Sequence, residues 1–146
     1  MCDYCGCREH DAIAALSIEH ETLLGMLTEM ERHADNHSSA DARPLLGRLH
    51  DLLSPHALRE EHGVFTELEQ AGVGHLYITM FEADHQQIHA LLARTETANW
   101  EPAVRELVRT LRDLIAREES DLFPAAHQLL VPSQWDAVDQ LTERST

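Results

Sequence analysis

Apolar residues recur along this chain in alternating steps of three and four, the period of a helix lying against a core. The first stripe, Ile13, Leu16, His20, Leu23, Leu27 and Met30, predicts a helix from about Glu9 to Ala34. The polar run from Asp35 to Ala40 reads as a loop. A second stripe, Leu45, Leu49, Leu52, His56, Glu60, Val64 and Leu68, predicts a helix capped by Asp41, with Pro44 in its first turn, running to about Ala71 and stopped by Gly72. Pro55 lies inside it and predicts a kink just before His56. The third helix runs from about His75 to Thr97, with Tyr77, Phe81, His85, Ile88 and Leu92 on its stripe and His89 beside it. The fourth is capped by Asn99, has Pro102 in its first turn, and carries Val104, Leu107, Leu111, Leu114, Glu118, Leu122 and Ala125. Pro132 and Ser133 open a short last helix from Gln134 to about Arg144, with Trp135 and Leu141 placed to pack across the bundle end.

Four long amphipathic helices joined by short connections predict an all-α fold, an up-down-up-down four-helix bundle with a short extra C-terminal helix. Residues 1–8 form a Cys-rich N-terminal arm and residues 9–146 the bundle domain. A chain of 146 residues is long enough to bury a core without disulfides.

The apolar stripes are interrupted by residues that do not belong in a core. His56 and Glu60 lie one turn apart on the same helical face, and His20, His85 and Glu118 occupy equivalent positions. Glutamate is almost never fully buried unless paired, so two core glutamates require a partner, and a metal is one such partner. There is also an internal repeat. Arg59-Glu60-Glu61-His62-Gly63-Val64-Phe65 returns as Arg117-Glu118-Glu119-Ser120-Asp121-Leu122-Phe123, and Glu19-His20 is matched by Asp84-His85. The chain therefore reads as two helical hairpins whose polar core residues meet at one level. In this repeat Leu114 stands where the first hairpin has His56.

Composition sharpens this picture in two ways. The 11 histidines are many for this length, and several lie among carboxylates at helical spacing. The net charge of −15 argues against nucleic acid, whose phosphates would be repelled, and against anionic membrane surfaces. No apolar run approaches the roughly 20 residues of a membrane span. The opening residues Met1 to Cys7 lack the basic and apolar regions of a secretory signal, and three cysteines crowded into them are not a disulfide framework, so a reducing, cytoplasmic location is expected.

His20, His56-x-x-x-Glu60, His85-x-x-x-His89 and Glu118 together resemble the ligand pattern of the hemerythrin-like (HHE cation-binding) family, over about residues 11–127. The Cys-rich opening resembles that of small bacterial, actinobacterial-type members. The resemblance implies a four-helix bundle around two non-haem irons joined by an oxo or hydroxo bridge. It assigns His20 and His56 to one iron, His85 and His89 to the other, and Glu60 and Glu118 as bridges. It implies binding of, or reaction with, O2, nitric oxide or peroxide. A ferritin-like di-iron site fits less well, because Glu82-x-x-His85 is the one Glu-x-x-His present of the two that class uses.

Leu114 departs from the family, which usually has a third histidine there for the second iron. Three consequences are open: an under-coordinated, reactive second iron; replacement by another residue; or a weak second position that leaves a single iron or zinc. Glu61 and Glu119 are either solvent residues or carboxylates that orient a ligand imidazole. Phe65 and Phe123 read as core walls that keep bulk water out. His33, His37, His50, His62, His75 and His127 fall off the stripes and read as surface residues. In the arm, Cys2, Cys5, Cys7 and His10 could hold zinc, act as a redox-active thiol cluster, or serve no site. Two functional alternatives stand beside the oxygen-reactive protein. One is a metal-binding or redox-sensor module holding zinc or a single iron without turnover. The other is an acidic bundle whose histidines are merely hydrogen-bonded.

Overall fold

The structure is a computed structural model that describes residues 6–144. It is all-helical, with no strand among the described residues. A 3-10 turn at Cys7–Glu9 leads into α1 (Asp11–Asp35). Then come α2 (Ser39–Arg59), α3 (Thr66–Gln70), α4 (His75–Arg94), α5 (Trp100–Arg117), α6 (Phe123–Leu129) and α7 (Pro132–Arg144). The chain does not break between α2 and α3 or between α5 and α6. It passes instead through wider π-helical turns, Glu60–Phe65 and Glu118–Leu122. The predicted second and fourth helices are therefore each one long rod with a π turn inside.

In the four-helix bundle α1 packs on α2 and α5, α4 on α5, and α2 on α4, while α7 closes one end against α1, α2 and the first π turn. The core is the set of predicted stripes: Ile13, Leu16, Leu23, Leu27 and Met30 from α1 meet Leu45 and Leu49, then Ile88, Val104, Leu107 and Leu111. Burying each such side chain stabilises the fold by roughly 1.5–3 kcal/mol.

Three expectations shift by local chemistry. α2 starts at Ser39, before Asp41, whose carboxylate accepts a hydrogen bond from Ser38 Oγ (2.7 Å) inside the first turn rather than capping the helix. Asn99 takes the N-cap position of α5 without a side-chain capping bond. The buried residues adjoining the predicted stripes are Leu53 and Ile78, with Leu52 and Tyr77 half-buried beside them. α2 stays α-helical to Arg59, and the departure from α geometry falls at Glu60. Gly72 has φ +95°, a left-handed conformation that an L side chain rarely adopts, and it ends the rod as expected. Among the described residues, no helix is long and apolar enough to cross a membrane.

Candidate metal centre

The polar residues of the stripes converge at mid-bundle. α1 supplies His20, α2 His56, α4 His85, and the two π turns Glu60 and Glu118, all 0–4 % exposed. A π turn adds a residue to the helical circuit, which lets consecutive acids point inward; π turns are common at functional sites. Glu118 and Glu119 are both buried, while Glu61 is half-buried.

The two bridging candidates divide their oxygens between the two sides of the cavity. Glu60 Oε1 lies 3.0 Å from His56 Nε2 and 3.5 Å from His20 Nε2, and its Oε2 lies 3.2 Å from His85 Nε2. Glu118 Oε1 lies 3.8 Å from His20 Nε2, and its Oε2 lies 3.6 Å from His85 Nε2. His20 and His56 bring their Nε2 atoms within 3.0 Å of each other. Two groups of potential ligands result, His20–His56–Glu60 and Glu60–His85–Glu118, which share Glu60.

The far side of each ring is held by a carboxylate. His20 Nδ1 is 2.8 Å from Glu119 Oε1, whose other oxygen accepts from Ser17 Oγ (3.1 Å). His85 Nδ1 is 2.8 Å from Glu61 Oε1, and His56 Nδ1 is 3.1 Å from Glu19 Oε2, which also accepts from Arg59. A carboxylate only accepts, so each Nδ1 carries a proton and each Nε2 is the ring nitrogen left facing the centre. Phe123 stacks on His20 (centroids 5.5 Å) and Phe65 lies against His85 (5.2 Å), so both phenylalanines are the walls expected.

This arrangement fits a cation. Both oxygens of Glu60 and Oε2 of Glu118 are buried without a hydrogen-bond partner, although imidazole nitrogens stand close by. The Nε2 atoms of the rings and the carboxylate oxygens face one common space. In the metal-free form, protons must do the work of a cation. Burial depresses His20, but its hydrogen bond to Glu119 and the negative charges of Glu60 and Glu118 outweigh it and hold the ring at about 10. His85 is likewise lowered by burial and raised further by Glu118, Glu60 and Glu61, to about 12. Burial and the charge of Glu60 push Glu118 up to about 7. Buried imidazole and carboxylate donors suit first-row transition metals, iron among them.

The residues expected from the sequence do not all fall in the two groups. His20, His56, Glu60, His85 and Glu118 do. His89, one turn beyond His85, lines the same cavity but is exposed and lies outside both groups. Leu114 is buried in the cavity wall. Glu19 was not anticipated, because it sits one position off the stripe of α1; the repeat Glu19-His20/Asp84-His85 was the available signal. Asp84, its counterpart, accepts a hydrogen bond from Arg117 (2.7 Å) as Glu19 does from Arg59.

At the bundle end His127 is half-buried, not a surface residue: its Nδ1 is 3.1 Å from Nε2 of His10, whose ring stacks on Trp135 at 3.6 Å. Cys7 is buried and disulfide-bonded, so its sulfur is not the thiolate that zinc takes. Cys2 and Cys5 of the expected zinc or thiol cluster lie outside the described residues.

An all-α bundle with a buried, carboxylate-linked histidine cluster at mid-height defines a cation-binding four-helix protein. Residues 11–126 match the hemerythrin HHE cation binding domain. The chain belongs to that family. No curated protein matches it.

Proposed function

We propose that this chain holds a pair of irons, one between His20 and His56 and one beside His85, with Glu60 and Glu118 spanning both. On this reading it binds or reacts with O2, nitric oxide or peroxide. The observation that carries the proposal is the split of each buried carboxylate, one oxygen toward His20 and the other toward His85. An iron pair, when bound, supplies redox equivalents and an open coordination position to a small ligand.

The protein's part is positional. Glu119, Glu19 and Glu61 fix the tautomer of His20, His56 and His85 and raise their basicity at Nε2. Phe65 and Phe123 keep bulk water off the rings, which limits proton delivery to the centre. Leu114 places a side chain that cannot ligate where the first hairpin has His56, so one group carries two imidazoles and the other one. That imbalance favours reactivity over reversible carriage.

The test is metal analysis of untagged protein, with its spectrum in air. A pair of irons with oxo-to-iron charge-transfer bands in the near-ultraviolet is expected. A specific observation favours a second reading: Glu60–His85–Glu118 contains a single imidazole. A weak second position would leave one iron or zinc and a module without turnover, seen as a single metal and no such bands.

A further inference from the structure

The chain's three cysteines all lie between Cys2 and Cys7. Cys7 is disulfide-bonded, and within one chain its partner is Cys2 or Cys5. Such a bond ties down nothing beyond the arm, and the stabilisation a disulfide gives grows with the loop it closes, so this one adds little to the bundle. It also uses two of three sulfurs and leaves one thiol over. A bond that holds no fold and has a thiol beside it in sequence is placed for exchange. From Gly6 onward the arm is seated on the bundle end. The 3-10 turn Cys7–Glu9 packs on α1 and α6, with Cys7 buried in the core. Gly6 has φ +75°, and a Cβ there would stand 3.1 Å from His127 Nε2, so the backbone crosses His127 at a distance suited to glycine. Arg8 donates to Glu21 (3.3 Å), and the His10 ring stacks on Trp135 of α7. A single three-residue turn does not hold itself in water, and a chain terminus frays unless it is tied. The tie here is the bond at Cys7.

We propose that the arm is a redox latch: oxidation to the Cys7 disulfide seats Gly6 to His10 over His127 and Trp135, and reduction lifts them off. The latch is independent of the metal reading above. Its chemistry balances with hydrogen peroxide as the oxidant. One arm thiol attacks a peroxide oxygen and breaks the O–O bond, giving a sulfenic acid and water. A second arm thiol attacks that sulfur, the S–S bond forms, and the sulfenic oxygen leaves as water. Two thiols lose two electrons and two protons, and the peroxide becomes two waters. A dithiol reductant reverses the bond by exchange and itself becomes a disulfide. Opening bares His127 and Trp135, an imidazole and an indole at the end of the bundle.

The test is limited trypsin cleavage of the full chain after Arg8, followed by intact mass, on protein treated with hydrogen peroxide or with dithiothreitol. Arg8 is half-buried in the seated turn, so cleavage there reads how often the arm opens. The reduced chain should be cut at least about tenfold faster than the oxidised one, as a loss of local protection would give. Each state is measured as isolated and again after chelation of metal, and the difference should persist. Cys7→Ser should be cut at the reduced rate with or without peroxide. Gly6→Val leaves every sulfur in place but sets a branched side chain at φ +75° against His127, so it should form its disulfide and still be cut fast. Equal rates in the oxidised and reduced parent would overturn the latch, and that comparison needs no variant. Three intact thiols after peroxide would also overturn it. Protection of oxidised Gly6→Val would overturn the seating over His127. A difference that vanishes on chelation would assign the change to the metal centre and overturn the latch.

Discussion

The two hairpins of this bundle share one plan and differ at one ring. In the first, Glu19 accepts from Arg59 and also holds His56 Nδ1. In the second, Asp84 accepts from Arg117 in the same way, but the position of that ring is Leu114. The remaining carboxylates cross over: Glu61 of the first hairpin holds His85 of the second, and Glu119 of the second holds His20 of the first. Each hairpin therefore holds a buried histidine of the other. What has changed is a single donor, with the support for it left standing. The loss of one imidazole separates ligand number from scaffold, which makes the two halves a controlled comparison inside one chain.

The largest expected effect comes from removing what the halves share. Glu60→Gln should abolish metal in both groups, whereas His56→Ala and His85→Ala should each weaken one more than the other; metal analysis after dialysis reads this. Next is restoration of symmetry. Leu114→His places a ring where Asp84 can accept its Nδ1 proton, and it should tighten the second metal and change the visible spectrum. Adding Asp84→Asn to that variant should remove most of the gain.

Smaller effects are expected in the supporting carboxylates. Glu19→Gln should cost about 10–100-fold in affinity at the first metal, the usual cost of losing an orienting partner. Asp84→Asn alone should leave metal affinity nearly unchanged and lower stability by no more than about 1 kcal/mol, because it breaks a partly exposed ion pair. Calorimetric titration and thermal melts separate the two.

A separate effect, confined to the metal-free protein, is on pH dependence. In the metal-free protein His20 is held at about 10 against an ordinary value of 6.5. The folded form then keeps a proton that the unfolded form releases. The stability this contributes is complete below about pH 6.5 and is lost as pH rises toward 10. Metal-free protein should therefore melt at lower temperature as pH rises through that window, while metal-loaded protein should not follow it. By the same linkage, metal binding at neutral pH should release protons, detectable as a dependence of binding heat on the buffer's ionisation enthalpy.

Much of this was legible in the chain itself. A buried histidine or glutamate on an apolar stripe stands out because nothing else in the pattern explains it, and His20, His56, Glu60, His85 and Glu118 are 0–4 % exposed as their phases require. The R-E-E repeat marked both buried acids, Glu60 and Glu118. The π turns were not legible, since a 3.6-residue period averages across one inserted residue. Glu19 was hidden because its partner, His56, is distant in sequence and its own position is half-buried. His89 shares the spacing of a ligand with His85, but spacing cannot say whether a flanking residue turns inward or stays at the surface.

The most direct measurement is a titration of metal-free protein with ferrous iron by calorimetry under nitrogen, repeated on His56→Ala and His85→Ala. Two unequal steps are expected, the tighter lost with His56 and the weaker with His85. A single step, or two equal steps that neither substitution separates, would contradict a centre built from two unequal halves around shared carboxylates.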